Sequence, residues 1–167
     1  MDTKKYDSTE LKLIMNSVVG LPVEDWPEFG IKWDESAESL HYYGDGESRD
    51  FIEEHHPDGL IIADVNLKEL DLNLVSISKQ TVDEFWKIGR KEKKARLIAH
   101  WATGNVVTPC KISPYGSEIF IVGGNNRLAV SRIKNESEVP VLFDPKDLAK
   151  LNEIIQLKNI RKPRKRT

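Results

Sequence analysis

Residues Phe120 to Arg132 read Phe-Ile-Val-Gly-Gly-Asn-Asn-Arg-Leu-Ala-Val-Ser-Arg, and no other stretch restricts the fold of this chain as tightly. Phe120, Ile121 and Val122 have the apolar, partly β-branched character of a short buried strand, and Leu128, Ala129 and Ile133 follow at helical spacing. A strand therefore turns abruptly into a helix. Gly123 and Gly124 permit positive φ and close approach by another group, and the side chain of Asn125 or Asn126 suits an N-cap. The amides of such a helix end point outward from a positive dipole, which suits phosphate, and Arg127 in the first turn adds a charge-assisted donor. The same residues also suit a tight turn with an ordinary cap and a solvent-facing arginine.

The chain has 167 residues, enough for one domain with a substantial core. Its 39% hydrophobic and 31% charged content fits a soluble globular protein. No apolar run reaches the roughly 18 residues of a membrane helix, and Met1 to Glu10 lacks a signal-peptide apolar region, so a cytoplasmic protein with no membrane partner is expected. The single cysteine, Cys110, excludes an internal disulfide and a multi-cysteine zinc site; following Pro109 at the head of an apolar segment, it reads as a small buried hydrophobe.

A net charge of −2 conceals an asymmetry. Residues 1–60 hold 5 Lys/Arg against 15 Asp/Glu, whereas residues 61–167 hold 20 against 12. An acidic extension (1–60) packed on a basic core domain (61–157) is expected. Residues 158–167 carry six basic side chains and a proline and read as a disordered tail that attracts polyanions such as nucleic acid, or as a solubilising charged segment.

Along the chain, Leu11, Ile14, Met15 and Val18 share one face of a helix over 9–19, capped by Ser8 or Thr9. Residues 20–59 show no firm period, with a short helix expected at 47–56. The alternation of Leu70, Leu72 and Leu74, then Val75 and Ile77, reads as a strand over 70–78. Thr81-x-x-Glu84 is a capping box opening helical sequence that runs, with a break near Gly89, to Trp101 and Gly104. A strand at 110–113, a turn at Ser113 to Ser117, a strand at 118–122, the glycine corner with its helix, a strand at 139–144 and a helix from Pro145 to about Leu157 complete an α+β pattern.

That order, with Gly-Gly-x-x-Arg at 123–127 and the Val-Pro-Val strand after it, resembles the ParB N-terminal/sulfiredoxin superfamily over roughly residues 70–145. The resemblance implies a small mixed sheet with packed helices. It matches Gly123 and Gly124 to the glycines of a nucleotide-phosphate loop and Arg127 to a phosphate-contacting arginine. Asn125 and Asn126 stand where sulfiredoxin has its cysteine nucleophile and a histidine. An amide neither forms a thiolate intermediate nor exchanges protons near neutral pH, so sulfiredoxin chemistry is excluded. Counting back from Pro109, Lys93, Arg96 and His100 fall where the preceding helix of that family offers a lysine and two hydroxyl ligands. Arg96 and His100 replace the hydroxyls, which is expected to strengthen an anion site electrostatically, and the spacing of Lys93, Arg96 and His100 puts all three on one face.

Lys93, Arg96 and His100 opposite Gly123, Gly124, Asn125, Asn126 and Arg127 would form an anion pocket. The expected ligand is a nucleotide, ATP or CTP with Mg in the family's manner, or the nucleic-acid backbone. If the chain is an enzyme, phosphoryl transfer or phosphodiester hydrolysis is the class implied, with Glu118 as a candidate general base and no other assignable. A second possibility is a non-catalytic toxin-immunity or inhibitor protein whose residues 1–60 cover a basic protein partner. His55 and His56 invite a metal reading, but adjacent helical residues diverge by about 100° and need a further segment to chelate. Trp26, Trp33, Tyr42 and Tyr43 lie in acidic sequence and fit local packing better than a base-stacking platform.

Overall fold

The computed structural model describes residues 9–42, 53–79 and 81–165. It is α+β, with a five-stranded mixed sheet in the order β3-β2-β4-β1-β5. The strands are β1 (Ile61–Asn66), β2 (Cys110–Tyr115), β3 (Glu118–Gly123), β4 (Glu138–Phe143) and β5 (Lys158–Arg161). The helices used below are α1 (Thr9–Val18), α2 (Leu67–Leu72), α3 (Lys91–Ala102), α4 (Asn125–Ile133) and α5 (Leu148–Ile154). β2 and β3 form an antiparallel hairpin, β4 and β5 flank β1 antiparallel, and β2 joins β4 in parallel at Cys110↔Val141 and Lys111↔Leu142. Pro140, which has no N–H to give, sits just before that pairing begins.

The strand expected at 70–78 is absent, and β1 at 61–66 takes its place in the sheet. Leu67, Leu70 and Leu74 are buried at helical spacing while Leu72 is 80% exposed, whereas a strand would have put Leu70, Leu72 and Leu74 on one face. Asn66 starts α2 by accepting the Glu69 N–H at 2.9 Å. The rest of the segment closes the open edge of β3: Ile119 N–H donates to Asn73 O, Val75 N–H to Ile119 O, and Ile121 N–H to the Ser78 hydroxyl. The Thr81–Glu84 capping box is present, but it opens a single 3-10 turn at Val82–Glu84, and α3 begins afresh at Lys91.

One face of the sheet packs Ala63, Val65, Cys110, Ile112, Ile119, Ile121, Val139, Val141 and Phe143 against Leu70 of α2, Leu128 of α4 and Leu151 of α5. α4 has a second contact surface. Its Ala129 and Val130 enter a cluster with Val18 of α1 and Ala95, Ile98 and Trp101 of α3. The acidic extension is built into this cluster through its aromatics: Trp26 meets Phe85 at 5.4 Å between ring centroids, and Trp33 meets Trp101 edge-on at 5.5 Å. The indole N–H groups of Trp26 and Trp86 both donate to Leu21 O, and that of Trp101 to Lys32 O. The helix over 9–19 is α1, with Leu11 and Val18 buried as its spacing requires. Residues 43–52, holding Tyr43 and most of the helix expected at 47–56, lie outside the described residues, as does Ser8.

The basic segment at 158–167 does not lie loose over its described part. Lys158–Arg161 forms β5 on the β1 edge, because Arg161 finds two carboxylates there: Glu35 at 2.6 and 2.9 Å and Asp64 at 2.9 Å. No helix of the described residues is long and apolar enough to cross a membrane.

Candidate functional site

The strand-to-helix corner forms where it was expected. β3 ends at Gly123, Gly124 is the N-cap of α4 with φ 110°, and Asn125, Asn126 and Arg127 make the first turn. The cap itself differs from expectation: neither asparagine precedes the helix, and Gly124 has no side chain with which to cap it. The first bond of the helix runs from Leu128 N–H to Gly124 O at 3.1 Å, so Gly124 provides no side-chain acceptor for the amides of 125–127. The glycine is required twice over. Its φ lies in the left-handed region, and a Cβ built on it would sit 2.8 Å from Cys110 Cα and nearer still to Cys110 Cβ. α4 thus starts with its backbone directly on β2.

Arg127 is half-buried and donates from Nη1 to Pro109 O at 3.3 Å. Cys110 is fully buried, and burial pushes its thiol up to about 12 against the pull of Arg127 and Arg132. It is a packing residue, as its sequence context implied.

α3 carries the other residues expected in the pocket, with a division not visible in their spacing. Lys93 and Arg96 are exposed, whereas His100 is 8% exposed. Burial, with the Arg96 charge behind it, pushes the His100 imidazole down to about 4. The ring is therefore neutral at pH 7 and adds no cationic charge, contrary to the electrostatic part expected of it. Its backbone has a structural role: His100 O accepts the Asn105 N–H and Trp101 O accepts the Gly104 N–H, a Schellman stop for α3. α3 and α4 meet through apolar residues, which places Lys93, Arg96 and Arg127 on adjoining helices. Glu118 opens β3 at the hairpin end, five residues from Gly123; at about 3.3 Å per residue that is about 16 Å from the corner, too far for a base acting there.

Two buried lysines escaped the sequence reading. Lys94 is fully buried; its Nζ donates to Phe85 O and Ile88 O and lies 5.0 Å from the centre of the Phe85 ring. Lys111 is 7% exposed and pairs across the hairpin with Gly123, yet it faces away from α4, on the side of Leu142 and Ile62. Burial lowers its pKa, while Asp147 and Asp144 hold the charge. Asp144 belongs to a buried polar cluster in which its Oδ2 lies 2.7 Å from His56 Nδ1 and its Oδ1 accepts the Lys146 N–H. Of the histidines at 55–56, His56 is thus buried on one carboxylate and His55 is exposed. Among the described residues no group of three or more His, Cys, Asp or Glu is placed to hold a metal ion.

Burial raises the Asp144 carboxyl, but the His56 and Lys146 hydrogen bonds and charges bring it below its ordinary 3.8. A depressed carboxylate stabilises the fold above its unfolded value, and that contribution is lost as pH falls through the folded value. Asp144→Asn is therefore expected to cost about 1–3 kcal/mol at neutral pH and to flatten the loss of stability below pH 3.8, read by urea unfolding across a pH series.

In comparisons with known proteins, no family model matches this chain, and neither does any curated protein or solved structure.

Proposed function

We propose that the corner between β3 and α4 binds a phosphate group, carried by a nucleotide or by a nucleic-acid backbone. One observation carries the reading: α4 begins on a glycine without a capping side chain, and half-buried Arg127 stands in its first turn. Lys93 and Arg96 on the adjoining helix supply further positive charge for the distal part of such a ligand. The resemblance to the ParB N-terminal/sulfiredoxin superfamily supports the same reading through the order helix, Pro109-led strand, hairpin, glycine corner, helix and Val-Pro-Val strand, which runs from α3 to β4, although the strand expected to lead that order at 70–78 is absent. With Glu118 distant and His100 neutral, binding is the activity this site supports best; phosphoryl transfer or phosphodiester hydrolysis would need a base from the ligand's side or from water.

Calorimetric titration with ATP, CTP, inorganic phosphate and a short oligonucleotide tests the proposal. Arg127→Ala is expected to weaken whichever of these binds by about 1.5–3 kcal/mol, the range for a hydrogen bond to a charged group, with Arg127→Lys intermediate. Wild-type protein that gives no heat with any of them would overturn the phosphate reading. The interaction-protein reading then takes over, favoured by Glu24, Asp25 and Glu28, which stay exposed on the extension while its tryptophans are packed inward.

A further inference from the structure

β5 is held unlike any other strand. None of its four residues enters an apolar cluster, and Asn159 and Ile160 are exposed. The last residue before it with an apolar anchor is Leu157. Its pairing with β1 consists of Ile62↔Arg161 and Asp64↔Lys158 with an irregularity between, and Asn159 sits at φ 50°. Polar contacts hold it in place: Arg161 on Glu35 and Asp64, Asn159 Nδ2 on Asp64 Oδ2 at 3.0 Å, and Lys158 near Glu138 at 3.4 Å. Beyond it, Ala37 N–H donates to Arg164 O and Arg164 N–H to Glu35 O. Lys162, Arg164 and Lys165 face solvent, and residues 158–167 contain no acidic side chain.

We propose that β5 is an electrostatically held strand that a nucleic-acid polyanion displaces from β1. The ion pairs are partly exposed, so salt screens them, and no buried apolar side chain holds the strand when they weaken. While docked, Lys158 and Arg161 are committed to carboxylates, and Glu35, Asp64 and Glu138 repel an approaching phosphate chain. Once released, the segment offers its full basic set to phosphates, with counterion release favouring the exchange, and Asn159 leaves its left-handed conformation. Glu35 of the acidic extension, with Asp64 of β1 and Glu138 of β4, therefore acts as an internal competitor for the ligand of the basic segment. This inference does not depend on the β3–α4 corner, and Arg127→Ala is expected to leave it intact.

Hydrogen exchange of the 158–165 amides in the full chain tests it. Raising NaCl from about 50 to about 500 mM should speed their exchange several-fold while β1–β4 amides stay protected. Adding an oligothymidylate of about 20 nucleotides at low salt should do the same. Glu35→Gln combined with Asp64→Asn should give the fast exchange without salt and bind the oligonucleotide more tightly than wild type. Exchange in wild type that ignores salt overturns the proposal, as does an oligonucleotide that slows it, since that would mean binding to the docked strand.

Discussion

Gly124→Ala is expected to destabilise the fold by about 2–5 kcal/mol, combining left-handed strain with overpacking against β2. The position cannot relax cheaply, because the neighbouring atoms are the Cα and Cβ of Cys110 rather than the tip of a flexible side chain. Gly116→Ala is the control. Gly116 also has positive φ, at 62°, but nothing lies within 4 Å of its Cβ position, so only the conformational cost of about 1–2 kcal/mol applies. Urea unfolding of the two variants separates the terms, and equal losses would mean that the contact with Cys110 is not what requires the glycine. The outcome bears on function too: shifting the start of α4 off β2 moves the amides and Arg127 together, so Gly124→Ala protein that remains folded should bind phosphate less well.

Lys94→Ala is expected to cost a similar amount, about 2–5 kcal/mol, through the cavity left in the aromatic cluster and two carbonyls stripped of their donor. Lys94→Met restores most of the volume and leaves only the carbonyls unmatched, so it should recover part of the loss. If both variants lose the same amount, hydrogen bonding to Phe85 and Ile88 dominates; if Met is fully wild-type, packing does. The lysine also predicts a pH effect. Burial lowers its pKa below the ordinary 10.5, so the unfolded chain holds the proton more tightly and stability rises as pH climbs through that window. Lys94→Met should remove this rise, which a comparison of the two proteins by chemical unfolding across alkaline pH measures directly.

The glycine corner was legible because its signal is local: apolar strand residues, two glycines and a helical period within thirteen positions. The hairpin and α1 were legible for the same reason. Residues 70–78 misled because leucine alternation satisfies a strand period, while the spacing of Leu67, Leu70 and Leu74 satisfies a helical one; Asn66, the cap, decides between them. On α3, the spacing of Lys93, Arg96 and His100 did describe one face, but the buried stripe includes Lys94, Ile98 and Trp101 and widens until it takes in His100. A lysine in step with Ile98 and Trp101 was the available sign of Lys94, and Lys111 between Cys110 and Ile112 was the sign of a buried cation on a strand. β5 carried no local sign at all: its partners lie 126 residues away at Glu35 and 97 away at Asp64.

The 73–78 segment occupies the β3 edge where a sixth strand would otherwise pair. Beside that edge, on the outer face of the hairpin, Phe120 and Val122 are 39% and 40% exposed. A β-rich stretch with an uncovered edge is a template for a second copy of itself. Asn73, Val75 and Ser78 therefore act as guards against self-association: substitutions that loosen this short cover should appear first as concentration-dependent oligomers and fibrils, before any change in ligand affinity.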